Sequence, residues 1–235
     1  LDITEDLDTV EYALSTPADL AETVRQVEAA GGRALAVTAD VREATQVESA
    51  VEDAISTFGR IDVLVTNAGI WHSRELVDLE EPMWDETLET NLTGAWLCTN
   101  HVGRHFRERG DGGRIVTVAS TAGLVGARGS GHYAAAKHGV VGLTKALALE
   151  FADDDVTVNC VCPTGVETPM IDGVLTQVGT EPFDRLSDVA GSMNVIDDGL
   201  LDPVDVSEAC LWLASDAARF VTGAVVPVDA GMTAK

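Results

Sequence analysis

Ile115-Val116-Thr117-Val118-Ala119-Ser120-Thr121-Ala122-Gly123, then Gly131-His132-Tyr133-Ala134-Ala135-Ala136-Lys137-His138-Gly139-Val140-Val141-Gly142-Leu143, then Val156-Thr157-Val158-Asn159-Cys160-Val161, is the stretch that decides the fold. The first and last runs are short, apolar and β-branched, which is strand composition. The middle run belongs to a helix over 132–151 that is rich in Ala and Leu. Strand, helix and strand in succession predict a βαβ unit, because two parallel strands need a crossover of about a dozen residues or more.

Outward from this unit the alternation continues. Ile61-Asp62-Val63-Leu64-Val65-Thr66 reads as an earlier strand, apolar enough to be buried on both faces, and Ala34-Leu35-Ala36-Val37-Thr38-Ala39 as another. A helix over 17–30 opens with Thr16 as cap and Pro17 in its first turn. An amphipathic helix over 43–58 ends at Gly59, and a long helix over 84–109 is closed by the Gly-rich turn 110–113. A helix over 205–215 and a last strand over 224–228 complete the series. The pattern predicts one α/β domain over 1–235, doubly wound around a mostly parallel, Rossmann-type sheet. Residues 165–201 have no clear period and read as a lid segment over the substrate.

Hydrophobic residues make up 46% of the chain and mean hydropathy is +0.12, the composition of a globular protein. No apolar run reaches the roughly 18 residues of a membrane span, and Leu1 to Asp6 lacks the pattern of a secretory leader. Fifteen Lys and Arg stand against 39 Asp and Glu, for a net charge of −24. Phosphate repels such a surface, so nucleic acid is excluded as a partner. The acids are spread along the chain, which suits a solvated surface working in high salt better than an ordinary acidic one. Cys98, Cys160, Cys162 and Cys210 form no Cys-x-x-Cys pair and read as small buried hydrophobes in a reduced cytoplasm. His101 and His105 share a helical face without a third ligand nearby, so no metal is expected.

Tyr133 and Lys137 stand four apart on the predicted helix, where an ammonium can approach a phenol. A neighbouring cation lowers a tyrosine from about 10 toward neutrality, which suits acid/base work on a hydroxyl or carbonyl oxygen. Alone the spacing is common in helices, and context narrows it. Ser120 ends a strand, Asn67-Ala68-Gly69 terminates the strand before it, and Asn91-Leu92-Thr93-Gly94 lies between. Pro163-Thr164-Gly165-Val166-Glu167-Thr168-Pro169-Met170 follows the strand that begins at Val156. In order and spacing, from Asp2 to Asp229, the set resembles the short-chain dehydrogenase/reductase family.

The resemblance implies hydride transfer between a secondary alcohol or ketone and NAD. It makes Tyr133 the catalytic acid/base, with Lys137 its partner and a ligand of the nicotinamide ribose. Ser120 would orient and polarise the substrate oxygen, and Asn91 would hold a water linking Lys137 to solvent. Asn67, Ala68 and Gly69 would line the cofactor cleft, and Asp40 and Val41 would surround the adenine. Val166 and Thr168 would hold the carboxamide, with Pro163 beside them. Asp2 matches the acid that binds the adenosine ribose and repels a 2′-phosphate, favouring NAD over NADP. A homotetramer is implied as well.

Departures from the family pattern are Thr164, where Gly is usual, and Ala230 in Val228-Asp229-Ala230-Gly231. The Gly-x-x-x-Gly-x-Gly turn that cradles pyrophosphate would lie upstream of Asp2. That loop and the first strand are absent from the sequence, which we read as truncation or disorder. An inserted run, Ile3 to Ala18, resembles the mycofactocin-coupled, carveol-dehydrogenase-like branch, whose members hold NAD tightly and pass electrons to a peptide-derived carrier. Within it Val10, Tyr12 and Leu14 alternate, as if to face the cofactor. Trp71 and His72 follow the Asn-Ala-Gly turn and either touch substrate or pack; Val166, Met170, Ile171, Val174 and Leu175 suit a lipophilic alcohol. Two rivals are a 3-oxoacyl-carrier ketone reductase, disfavoured by Asp2 and the acidic lid, and a catalytically idle dinucleotide sensor. A sensor has no need of the full set Asn91, Ser120, Tyr133 and Lys137.

Overall fold

In the computed structural model, which describes residues 1–177, 194–196 and 199–234, β1 (Val63–Thr66), β2 (Gly113–Val118), β3 (Val156–Pro163) and β4 (Val225–Val228) form a parallel sheet in the order β1-β2-β3-β4. All eight residues of β3 are buried. Its run of small and β-branched side chains feeds both faces of the sheet, as a central parallel strand must. Val158, Cys160 and Cys162 point to one face and Val161 to the other.

The helices are α1 (Pro17–Ala29), α2 (Ala44–Phe58), α3 (Glu81–Leu88), α4 (Gly94–Arg109), α5 (Gly131–Glu150), α6 (Pro169–Gln177) and α7 (Pro203–Ala214): α1 and α2 precede β1, α3 and α4 lie between β1 and β2, α5 between β2 and β3, and α6 and α7 between β3 and β4. Val102 and Phe106 of α4 and Val140, Val141 and Ala148 of α5 cover the face that carries Ile115 and Cys160. On the opposite face Leu213 of α7 and Ala218 pack against Val116 and Val161. The sheet is therefore doubly wound, as expected. Local chemistry sets the helix ends: Thr16 and Asp19 form a capping box on α1, Asp202 and Asp205 another on α7. Gly110 closes α4 at φ +69°, a left-handed turn that glycine takes without cost.

Four expectations need correction or a limit. β1 is an edge strand, and Val63 and Val65 are 39% and 46% exposed, so it is not buried on both faces. Residues 34–39 do not form a strand: their one bridge is Thr38 to Asp2, through Asp2 N–H to Val37 O (3.2 Å) and Ala39 N–H to Asp2 O (2.9 Å). A single paired residue does not make a ladder. The helix over 84–109 is interrupted by a π turn, Glu89–Thr93, between α3 and α4. Of the lid segment 165–201, residues 178–193 and 197–198 lie outside the described residues, as do the side chains of Val174 and Leu175.

Candidate active site

The site gathers at the carboxyl ends of β1, β2 and β3, where loops leave a parallel sheet. β2 ends at Val118, and the chain extends through Ala119 to Ser120, which caps a short 3-10 turn, Thr121–Gly123. Ser120 Oγ accepts from Ala122 N–H at 3.1 Å, which fixes the hydroxyl. Ala119 N–H bonds Val161 O at 2.8 Å and so ties this end to β3. α5 then carries Tyr133 in its first turn and Lys137 one turn later. Lys137 is 4% exposed; its Nζ donates to Val118 O at 3.0 Å and lies 5.5 Å from the centroid of the Tyr133 ring.

Electrostatics differ here from the expectation. Burial pushes the Tyr133 phenol up to about 12, and a hydrogen bond with Ser120 offsets only part of that rise. Burial brings Lys137 down to about 8. The ammonium gives its bond to a carbonyl instead of the phenol, so the predicted lowering of Tyr133 is not seen.

Asn91 sits in the π turn, 1% exposed. Its Oδ1 accepts from Ile70 N–H and its Nδ2 donates to Ile70 O, both at 2.8 Å. This clamp sets the turn Asn67-Ala68-Gly69 that follows β1. At Gly69 a side chain would collide: an added Cβ would stand 2.7 Å from Asn91 Oδ1 and 3.7 Å from Lys137 Nζ.

Gly69 also borders a cavity of about 110 Å³ whose lining includes Asp2, Asp40, Val41, Ala68 and Thr90. The structure thus brings five of the expected cofactor residues to one hollow, beside Lys137. Asp2 accepts from Thr4 N–H at 3.0 Å and from Ser15 Oγ. Asp40 grips Arg42 through both carboxylate oxygens, and Arg42 also bonds Glu86 at 2.6 Å. Burial works against ionisation of Asp40, but the Arg42 bonds prevail and hold its carboxyl below the usual range.

Other expected residues lie outside this hollow. Asn67 is exposed. Pro163 pairs with Val228 at the end of β3, Val166 bridges Leu201, and Thr168 Oγ1 donates to Val166 O at 3.2 Å. Within the inserted run, Leu14 lines the cavity, but Tyr12 accepts a bond from Trp71 N–H at 3.1 Å. Sequence reasoning missed Arg42, Thr90 and Glu86; the Asp40-Val41-Arg42 triplet was the available signal. His105 Nε2 accepts from Ile61 N–H at 3.2 Å, the cysteines are free, and no metal cluster occurs among the described residues.

Residues 10–233 match the family model described as enoyl-(acyl carrier protein) reductase. A (−)-trans-carveol dehydrogenase of Rhodococcus erythropolis is 38% identical over 245 residues, covering 100% of this chain and 87% of its own length. The crystal structure of carveol dehydrogenase from Mycobacterium avium in complex with NAD is similar at TM-score 0.95 and 36% identity, over 100% of this chain and 87% of that one. A short chain dehydrogenase from Mycobacterium paratuberculosis bound to NAD gives TM-score 0.89 and 34% identity, with coverage of 100% and 87%.

Proposed function

The chain belongs to the short-chain dehydrogenase/reductase family, and from that premise we propose that it is an NAD-dependent oxidoreductase interconverting a lipophilic secondary alcohol and its ketone. One observation carries the reading. Gly69 forms the boundary between the cavity and Lys137, at a place where a Cβ would fill the gap. A cofactor threading from the hollow to Tyr133 needs that gap.

The residues fit NAD. Thr90 Oγ1, buried at the cavity without a hydrogen-bond partner among the described residues, is an orphan that a ligand oxygen would satisfy. Asp2, Asp40, Val41, Asn67, Ala68 and Gly69 would hold the adenosine side, and Pro163, Val166 and Thr168 the nicotinamide side. Arg42 is already held by two carboxylates and has no free charge for a 2′-phosphate, which supports NAD over NADP. When bound, NAD supplies the hydride chemistry at its nicotinamide. Tyr133 takes the alcohol proton during oxidation and returns it during reduction. Ser120 donates to the substrate oxygen and steadies its developing negative charge. Lys137 keeps a positive charge near the phenol, and Asn91 holds the Ile70 turn in place.

Four finer readings belong to the same proposal: electron transfer from retained NAD to a mycofactocin-type carrier, a homotetramer, a cytoplasmic location and adaptation to high salt. Leu14 at the cavity and the Ser15 bond to Asp2 support retention, since they lay the inserted run against the cofactor hollow. Such a cover slows release more than capture. We expect the purified protein to carry NAD by mass spectrometry and to oxidise alcohols faster with an artificial electron acceptor than with added NAD. Protein that purifies empty and turns over rapidly with free NAD defeats the retention reading and leaves the dehydrogenase reading intact.

A further inference from the structure

Two imidazoles lie buried against each other outside the cofactor hollow. His72 and His132 are 2% and 0% exposed, with ring centroids 5.6 Å apart and planes tilted by 35°. His132 stands in the first turn of α5, one residue before Tyr133. His72 Nε2 is 3.1 Å from Thr9 Oγ1 in the inserted run, and its Nδ1 is 3.2 Å from Thr87 Oγ1 on α3. The run, α3 and α5 therefore meet at this pair.

The hydrogen bonds fix the charge of His72. Thr9 gives its hydroxyl proton to Glu86, so its oxygen can only accept from the ring. Nε2 then carries the hydrogen and Nδ1 accepts from Thr87, which makes the imidazole neutral. Neither nitrogen of His132 has a hydrogen-bond partner among the described residues. A proton there would find no acceptor, and it would sit at the N-terminus of a 20-residue helix, whose dipole opposes positive charge. Burial, and then the neighbouring His72, bring His132 down to about 4. Burial lowers His72 as well. Glu86 on α3 and Glu11 in the run favour a proton on it, Arg74 on its own loop opposes one, and burial outweighs the two acids.

We propose that His72 and His132 form an acid-sensitive joint: uncharged, they hold the run 3–16 against α3 and α5, and a proton on either ring opens the contact and frees the run. Leu14 and Ser15 of that run border the cofactor hollow, so opening the joint uncovers the hollow. Above the free histidine value of about 6.5 the closed state keeps its full advantage. As pH falls below that value the open state takes up protons first, and closure weakens progressively until His132 titrates in place near 4. A ring that binds its proton at about 6.5 when open and about 4 when closed shifts the balance roughly thirtyfold toward the open state at pH 5.

Hydrogen exchange of residues 3–16, corrected for the intrinsic rate, tests the joint at pH 7.5 and pH 5. It is measured by mass spectrometry on the whole chain as wild type, His132→Phe and His72→Gln. His132→Phe keeps an aromatic ring in place and deletes two buried nitrogens without partners, so Tm at pH 7.5 should hold. His72→Gln keeps an amide donor and acceptor and cannot titrate, which guards against disturbed packing in the other variant. Opening in the wild type should rise roughly thirtyfold or more between the two pH values, and each variant should lose about tenfold or more of that rise. No rise in the wild type, or the same rise in all three proteins, overturns the proposal. Bound NAD, followed on the same samples, should leave faster at pH 5 in the wild type than in either variant. Opening that follows this pattern in protein without NAD supports the joint and overturns the retention reading alone.

Discussion

Burial acts on the two central residues in opposite senses, raising the Tyr133 phenol to about 12 and lowering Lys137 to about 8. Alcohol oxidation needs the phenolate, whose fraction grows with pH throughout the range below the tyrosine value. Ketone reduction needs the phenol, which is abundant across neutrality. We therefore expect kcat for oxidation to climb from about pH 6 and to flatten once Lys137 loses the charge that favours the phenolate, near pH 8. Reduction should stay level until Lys137 begins to lose its proton near 8. Initial rates in both directions decide this, and an oxidation rate that falls as pH rises would contradict it. Tyr133→Phe keeps the ring and removes the oxygen, so turnover should fall by roughly 10²–10⁴-fold while NAD stays bound. Near-normal turnover in that variant removes Tyr133 from the mechanism. The spacing of Tyr133 and Lys137 was visible in the chain, but their electrostatics were not. The expected lowering assumed that the ammonium serves the phenol, whereas Nζ is committed to Val118 O, a tertiary contact that sequence spacing does not encode.

At the scale of elements, the βαβ unit of β2, α5 and β3 was legible because composition, length and period agreed. β3 is apolar throughout because it is covered on both faces, and the same residues were read as a strand for that reason. Residues 34–39 misled because a short apolar run predicts a strand only where a neighbour exists to pair with it, and here Asp2 alone does so. The π turn at Glu89–Thr93 was hidden for another reason: one extra residue in a helical turn leaves the apolar pattern almost unchanged. Its consequence is large, since it belongs to the stretch that presents Asn91 to Ile70. Asn91→Ala removes both partners of a main-chain amide and carbonyl at once. Each orphaned group costs about 1–3 kcal/mol, so chemical denaturation should show a loss of about 2–6 kcal/mol. NAD binding should weaken in the same variant, because Gly69 and Ile70 border the cavity. A variant with wild-type stability would mean the clamp has no structural role.

Across the whole molecule the dominant quantity is charge, and it was entirely legible from composition. Fifteen cationic side chains face 39 carboxylates, so most of the acids have no cation to pair with. The available pairs are mostly weak. Arg25, Arg60, Arg107 and Arg128 hold theirs with side chains near half exposure or more, where an ion pair is worth about 0–1 kcal/mol. Arg42 between Asp40 and Glu86 is the better shielded exception. Salt acts on both attraction and repulsion, and the balance decides the sign. Screening the exposed pairs forfeits little, while screening an excess of 24 negative charges relieves repulsion over the entire surface. The Debye length falls from about 10 Å at 0.1 M to about 3 Å at 1 M, so neighbouring carboxylates cease to repel over most of their separations. The melting temperature should accordingly rise by several degrees from dilute buffer to molar KCl, each kcal/mol regained adding about 2–4 °C for a chain of this size. The gain should also appear with NaCl, since screening depends on ionic strength and not on the cation. A melting temperature that is flat or falls with both salts would show that attraction and repulsion cancel, and the high-salt reading of the acidic surface would then be withdrawn.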